Sequence, residues 1–471
     1  MKHTLNLRKI AIGSLYIYIL QLAVGCANIV PPVGGPRDTI PPYLTIARPK
    51  DSATGIKPKE IQLVFSEYIN TTDLQTNFII SPSIKTTPLI DSRLNAIRIR
   101  INDSLAPNTT YSLQFGNAIR DVNEGNIAKN YTYVFSTGNH IDTGRFSGYV
   151  RLAETGNIDS TLIVVLHPKN NDTAIYKNSP QYYSKINGKG KFEFKFLPYQ
   201  SFQVFVVPND YNKKYDDSTK LIAFLDSPIQ VTAVTDTQNL YAFQGYKKID
   251  VKKAVAGAGS KVAKTKSTIL KYSKIQEGGD QDLLNPLQLA FEGPIKLNDS
   301  FPILLCDTNN KPLNSYTISL DSSSRNMFVN YPWEEQTKFH LIIPKGSIHD
   351  TSFNTTQKSD TLKFITKSEA AYGSVLIRLS GFQQVKNPIL LFTQDDKVKY
   401  SFPITQSIIS IPKILPGDFI LKLLEDDNNN GKWDTGRFGK IRKQPEHVKL
   451  IGTTINIKSN WDNEFNVVIN K

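Results

Sequence analysis

Apolar residues in this chain come in short runs, "IQLVF", "TYSLQF", "KFEFKF" and "FQVFVV", each closed off by a cluster of Asn, Asp, Gly or Pro. Alternation puts every second side chain on one face of a strand, and the clusters between the runs supply turns. Almost no stretch carries the 3.6-residue period of an amphipathic helix. The pattern predicts an all-β protein. With 471 residues the chain is too long for one hydrophobic core, so several β domains are expected.

The runs also repeat. "IQLVFSEYIN", "TYSLQFGNAIRD" and "YVFSTG" in the first half are answered by "LQLAFEGPIK", "FHLIIPKGSIHD" and "LKFITK" in the second. Ile119 meets Ile348 and Phe135 meets Phe364, both 229 residues apart. Further on, "FLPYQSFQVFVVPNDYNKKYD" is answered by "ILPGDFILKLLEDDNNNGKWD", with Leu197 and Leu415, and Asp216 and Asp434, each 218 apart. The repeats imply a duplicated order A-B-A′-B′, four β-sandwiches of about 100 residues each. The expected boundaries are 41–140 for A, 141–246 for B, 269–368 for A′ and 369–471 for B′. Between B and A′, residues 247–268 ("KKIDVKKAVAGAGSKVAKTKS" and Thr268) are low in aromatics and rich in Ala, Gly and Lys, which reads as a basic linker.

The first 25 residues read as an export signal: Lys2, Arg8 and Lys9 precede an apolar stretch from Ile10 to Val24. Its removal lowers the formal charge from +14 to +11. The remaining lysines are dispersed, so an exported protein of this charge gives no reason to expect nucleic acid as a partner. "LAVGC" resembles the lipobox of bacterial lipoproteins, with Cys26 as the acylated residue. Cys306 would then be the only thiol left, which rules out an intrachain disulfide; closing the apolar run "FPILLC", it is expected to be buried. Residues 26–40, with Pro31-Pro32 and Gly34-Gly35, read as a tether.

The segment "PPVGGPRDTIPPYLTIARPKDSATGIKPKEIQLVFSEYI" resembles the start of Bacteroidota lipoproteins that carry an Ig-like domain of the surface-layer type, with Tyr68 where that family has Pro. The B segments resemble the prealbumin-like or carboxypeptidase-regulatory-like sandwiches found beside it. The resemblance implies tandem Ig-like and prealbumin-like β-sandwiches and a lipid anchor in the outer membrane, on the periplasmic face or the cell surface. Ala27-Asn28-Ile29-Val30 lacks the acidic residues that mark surface export in that lineage, which leans towards the periplasmic face. Asp followed by Ser or Thr and a small or aliphatic residue resembles its O-glycosylation acceptor. The candidates are Thr39, Ser52, Ser104, Ser160, Thr173, Ser218 and Thr361. Asp-Ser and Asp-Thr are also ordinary turn dipeptides.

Catalytic patterns are missing from the sequence. The six histidines are scattered without zinc-ligand spacing, and no Gly-x-Ser-x-Gly occurs. Glu67 and Asp121 sit at strand or loop ends, where a glycosidase pair or plain turn chemistry would both place them. No enzyme is expected. The stretch "LEDDNNNGKWDTGRF" puts Asp426, Asn428, Asn430, the Lys432 carbonyl and Asp434 in the places of calcium-loop ligands, with Gly431 at the sharp turn. Arg437 stands where the closing Glu belongs, and Asx hydrogen bonds account for the same spacing without metal. No cofactor is required, and calcium is the ion such a loop would take. Tyr182-Tyr183 and Tyr331-Pro332-Trp333 are candidate sugar platforms or, more simply, core aromatics. The expected role is a scaffolding or protein-interaction subunit of an outer-membrane complex with a β-barrel partner; the alternative is a glycan-binding adhesive protein.

Overall fold

The computed structural model describes residues 12–15, 37–168, 173–245, 272–275, 279–350, 355–356 and 358–469. Cys26, most of the export signal and all but the last residues of the tether, and the 247–268 linker lie outside them. The described chain is almost wholly strand, as the alternation requires, and it forms two compact units, Met1–Asp142 and Thr143–Lys471.

Unit 1 is an Ig-like sandwich of nine strands: β1 (Leu44–Arg48), β2 (Glu60–Phe65), β3 (Ile69–Thr71), β4 (Ile79–Ser81), β5 (Leu89–Arg93), β6 (Ala96–Arg100), β7 (Thr110–Gly116), β8 (Ile119–Asp121) and β9 (Tyr131–Ser136). One sheet runs β1-β2-β6-β5, another β4-β7-β9, and β3 pairs with β8. Every second residue of β2 and β6 (Ile61, Leu63, Phe65; Ile97, Ile99) faces inward against Tyr111, Leu113 and Phe115 of β7 and Tyr133 and Phe135 of β9. The period-two pattern of "IQLVF" and "AIRIR" is therefore the inward face of one sheet.

Unit 2 opens with the B strands β10 (Gly144–Leu152), β11 (Leu162–Pro168), β12 (Tyr182–Lys185), β13 (Lys191–Leu197), β14 (Ser201–Pro208), β15 (Leu221–Phe224), β16 (Ile229–Gln230) and β17 (Gln238–Gln244). They form one eight-stranded sheet in which the first and last long strands, β10 and β17, pair in parallel. The A′ strands come next: β18 (Tyr272–Ile275), β19 (Leu287–Phe291), β20 (Ile295–Leu297), β21 (Leu304–Cys306), β22 (Thr317–Leu320), β23 (Asn326–Asn330), β24 (Lys338–Ile343), β25 (Ile348–Asp350) and β26 (Asp360–Ile365). Their pairings β18-β19-β23-β22, β20-β25 and β21-β24-β26 reproduce those of unit 1 strand for strand.

The B′ strands close the chain: β27 (Gly373–Ser380), β28 (Pro388–Gln394), β29 (Lys397–Pro403), β30 (Ile408–Ile414), β31 (Gly417–Glu425), β32 (Val448–Ile457) and β33 (Asp462–Val468). Again the first and last strands, β27 and β33, run parallel. The duplication read from two sequence offsets is thus present in the topology of both halves.

Two strands of B depart from the alternating pattern. "LIVVLH" and "FQVFVV" in β11 and β14 do not alternate between core and solvent; both faces are buried. Leu162, Val164, Leu166, Val204 and Val206 fill the main core of B. Ile163, Val165, Phe205 and Val207 point the other way into a second cluster with Ile222, Phe224 and Phe243. A strand covered on both sides reads as a continuous apolar run, so something must lie over the back of this sheet.

Candidate functional site

What covers it is the chain between β31 and β32, which contains "DDNNNGKWDTGRF". Asp426 is buried at its start, and its two carboxylate oxygens accept the N–H groups of Asn430 (3.2 Å) and Gly431 (2.7 Å). Gly431 takes a φ of +78°, a backbone conformation that disfavours other side chains. Asn428 and Asn430 turn their oxygens to the N–H groups of Asn430 (3.1 Å) and Lys432 (2.8 Å). Their side-chain N–H groups both donate to the carboxylate of Asp434. From the returning limb, buried Glu446 accepts the N–H groups of Asp427 and Asp434, each at 2.9 Å, and its carbonyl accepts the Trp433 indole N–H at 2.6 Å.

This arrangement tests the calcium expectation on its donor set. A calcium loop aims several oxygens at one point. Here Asn428 and Asn430 offer nitrogens to Asp434, and the Asp426 and Glu446 oxygens are occupied by backbone amides. Among the described residues no three acidic, His or Cys side chains are grouped to hold a metal. The geometry fits a hydrogen-bonded turn rather than a cation cage.

The equivalent loop in B is held differently. Asp210 accepts the Lys213 N–H (2.7 Å), Asn212 donates to Asp216 (3.0 Å), and the Lys220 ammonium bridges the carboxylates of Asp210 and Asp216. The Lys220 contacts lead the effects that hold Asp216 below the usual carboxylate range. At the 218-residue offset the counterpart of Lys220 is Phe438. The B′ loop therefore has a phenyl ring where the B loop has its bridging ammonium.

That ring is inserted into B. Phe438 lies among Tyr176 (5.7 Å between centroids, stacked), Phe205 (5.7 Å), Tyr215 (5.5 Å) and Phe224 (5.2 Å). The Arg442 guanidinium caps it from outside at 5.2 Å. Trp433 packs against both the back cluster of B and the back cluster of B′, formed by Ile389, Leu391, Leu424 and Val448. Backbone and side-chain hydrogen bonds frame the apolar contact: Val448 N–H to Ala153 O (2.7 Å), Thr435 Oγ1 to Gln244 O (2.9 Å), and Gln444 Nε2 to Phe224 O (3.2 Å) and to Asp226 Oδ1 (2.9 Å). Gly436 is required at its position, because a Cβ there would meet Phe243 at 2.7 Å and the Lys443 carbonyl at 2.8 Å.

Charge is placed along the same seam. Lys422, in the middle of β31, is 2% exposed; its ammonium donates to Thr155 O in B (2.9 Å) and pairs with Asp396 (3.0 Å). Asn157 of B donates to the other oxygen of Asp396 at 2.9 Å. His447 stacks on Tyr241 of B at 4.2 Å and contacts Glu425 at 2.8 Å, and Lys449 donates to Glu425 at 2.6 Å. The His447 hydrogen bond, with that of Lys449, outweighs burial and holds the Glu425 carboxyl down at about 2. Together these residues clamp B to B′.

The remaining expected positions lie away from this seam. All seven glycosylation candidates, Thr39, Ser52, Ser104, Ser160, Thr173, Ser218 and Thr361, are exposed. Several of their aspartates also make local turns, such as Asp159 to the Thr161 N–H (2.9 Å) and Asp217 to the Thr219 N–H (2.8 Å). Cys306 is buried, and burial pushes its thiol up. Burial would raise the Asp121 carboxyl, yet the N–H groups of Glu124 (2.6 Å), Gly125 (2.7 Å) and Asn126 (2.8 Å) hold it below the usual range. Glu67 is pushed up by burial and then by the charges of Asp121, Asp38 and Glu124. Asp121 structures the turn after β8, and Glu67 stands in the β2–β3 connection at the same end of unit 1. Tyr182 and Trp333 are buried in cores and Tyr183 and Tyr331 pack against them, so neither aromatic group offers a sugar platform.

Residues 38–137 match the bacterial Ig-like domain, which agrees with the sandwich of unit 1. Among solved structures, the TIE protein of Bacillus anthracis is 10% identical over 93% of this chain and 76% of that one, with a TM-score of 0.16. BcpA, the major pilin subunit of Bacillus cereus, is 9% identical over 69% of this chain and 99% of its own, at 0.17. The S-layer protein rSbsC(31-844) is 10% identical over 83% and 55%, at 0.15. TM-scores this low carry no argument about architecture or role. No curated protein matches the sequence.

Sequence reasoning missed Phe438, Lys422, Glu446 and His447. A signal for the first was available: an aromatic stands where the repeat partner has Lys220, and β11 and β14 of B are apolar on both faces.

Proposed function

We propose that this chain is a non-catalytic, lipid-anchored outer-membrane protein that acts as a scaffolding subunit of an envelope protein complex. The observation that carries the reading is the clamp. The loop richest in ligand-type side chains is spent joining B to B′, which suits a body that holds a fixed shape for a partner. The exposed Asp-Ser and Asp-Thr sites fit O-glycosylation of an exported protein, and "LAVGC" fits anchoring through Cys26. The partner this predicts is a β-barrel or another envelope protein.

Affinity purification of the full chain from detergent-solubilised membranes tests the proposal. A stoichiometric envelope protein supports it. Recovery of the chain alone, together with glycan-array binding, would transfer support to the adhesive reading. Protease accessibility on intact cells decides between the periplasmic face and the surface. Mass spectrometry of cell-derived protein reads sugar at the seven Ser and Thr positions and lipid at Cys26.

A further inference from the structure

Unit 1 has two unlike ends. The chain enters beside the β8–β9 loop, where Asn126 donates to Asp38 O (3.0 Å) and Arg37 donates to Glu124 O (3.2 Å). It leaves at the opposite end, where the Asp142 N–H donates to Thr110 Oγ1 (2.9 Å). Of the seven large apolar side chains that stand exposed between residues 37 and 142, five lie at the entry end: Ile40, Tyr43, Tyr68, Leu94 and Val122, each 56–69% exposed. Backbone hydrogen bonds bring them together: Ser66 N–H to Tyr43 O (2.9 Å), Ile69 N–H to Leu94 O (2.9 Å) and Val122 N–H to Tyr68 O (3.1 Å). Only Ile46, along the β1 edge, and Leu89, towards the exit end, stand apart.

We propose that this entry end rests on the lipid surface to which Cys26 is attached, so that unit 1 stands on the bilayer with its exit end pointing away. The inference rests on the anchoring reading. Eleven Cα–Cα steps lead from Cys26 to Arg37, and an extended chain spans at most about 3.6 Å per step, so the entry end is held within about 40 Å of the acylated cysteine. The chemistry suits a lipid interface. Tyr68 and Tyr43 are amphipathic rings of the kind that settle at headgroup level, with aliphatic Ile40, Leu94 and Val122 between them. Around the patch, the carboxylates of Asp38, Glu67, Asp121 and Glu124 are matched in number by Arg37, Arg93, Arg120 and Lys129, so no net charge selects an acidic or a basic protein. A patch of exposed apolar side chains on one end of a domain marks an interaction surface, and the tether determines which surface it meets.

The test uses the chain from Cys26 to its end, coupled through the Cys26 thiol to maleimide-phosphatidylethanolamine in phosphatidylcholine vesicles. Buried Cys306 does not compete. Tyr68→Trp, Leu94→Trp and Leu89→Trp are made one at a time, and the emission of each added indole is taken as the difference from the parent chain. With lipids brominated near the top of the acyl chain, the emission at positions 68 and 94 should fall about two-fold, as for side chains that reach some 5–10 Å into the headgroup boundary. Position 89 should stay unquenched. Equal emission at 68 and 94 with and without bromine overturns the proposal and leaves the patch to a protein partner. Equal quenching at all three positions overturns the end-on orientation. Chemical coupling makes this result independent of cellular acylation, which is read separately from the mass of the N-terminal peptide.

Discussion

Phe438→Ala is the sharpest test of the clamp. Deleting a buried phenyl ring costs about 3–5 kcal/mol when the site is fully enclosed. Phe438 is half-buried, which reduces that term to about 2 kcal/mol, and loss of the Arg442 contact adds about 0.5–1 kcal/mol. The sum, about 3 kcal/mol, falls on the docking of B against B′ rather than on either main core, because the ring touches Tyr176, Phe205, Tyr215 and Phe224 and none of the residues of the B′ core. For a pair of sandwiches near 200 residues, about 3 kcal/mol corresponds to a drop of about 6–12 °C in melting temperature. Scanning calorimetry of the full chain measures this, and hydrogen exchange at the Val448 amide, bonded to Ala153 O at 2.7 Å, locates it. In a double-mutant cycle Phe438→Ala should couple to Tyr176→Ala by about 0.5–1.5 kcal/mol, the range for a stacked aromatic pair. A melting shift of under about 2 °C, or no coupling to Tyr176, would refute the claim that this ring joins the two domains.

Three further outcomes are expected from the same seam and from the core beneath it. Gly436→Ala should cost about 1–3 kcal/mol by overpacking against Phe243 and the Lys443 carbonyl, while the exposed Gly439→Ala changes little; chemical denaturation compares them. Lys422→Met keeps the stem that fills the site and should change stability by under about 1 kcal/mol, whereas Lys422→Ala also opens a cavity and should cost about 2–4 kcal/mol, read by the same denaturation midpoint. Stability should fall in acid in two stages. Burial lowers His167 from 6.5 to about 4, so its neutral form is favoured in the fold, and stability present above pH 6.5 is lost as pH falls towards 4. Glu425, depressed from 4.5 to about 2, contributes stability that is present above pH 4.5 and lost as pH falls towards 2. His167→Asn should flatten the first stage and Glu425→Gln the second, each measured by thermal melting across pH.

The all-β class and the duplication were legible because both rest on local pattern. Period-two alternation in "IQLVF" and "KFEFKF" is imposed by strand geometry itself, whatever the strand packs against. The shared spacing of Ile119 with Ile348 and of Asp216 with Asp434 reflects strands and connecting loops that the topology repeats. The clamp was not legible because its energetics are non-local. Nothing beside Phe438 in the sequence states that Tyr176 lies 5.7 Å from it, and Lys422 reads as a solvent-facing lysine in a strand until Thr155 and Asp396 are brought over it. The apolar runs "LIVVLH" and "FQVFVV" did carry the information that a second face was covered. They could not say by which segment.

The two copies of the marked loop show how a duplicated turn acquires a new use. In B, two carboxylates and an ammonium on the same loop satisfy one another, so the turn is complete within its own domain. In B′ the position of that ammonium is Phe438, and the remaining carboxylates are met by side-chain and backbone N–H groups instead. The substitution removes a charge from the loop and gives it an apolar tip, which is stable only if something buries it. The back of the β11–β14 sheet in B provides that burial, and the same sheet needs a cover for Ile163, Val165, Phe205 and Val207. Each domain thus satisfies a requirement of the other. Exchanging the residues should separate the two roles: Phe438→Lys would let the B′ loop close on its own carboxylates as B does, while leaving the back of B uncovered. Its expected signature is an intact B′ transition in calorimetry with faster hydrogen exchange at β11 and β14; unchanged exchange there would mean that Phe438 is not what protects that face.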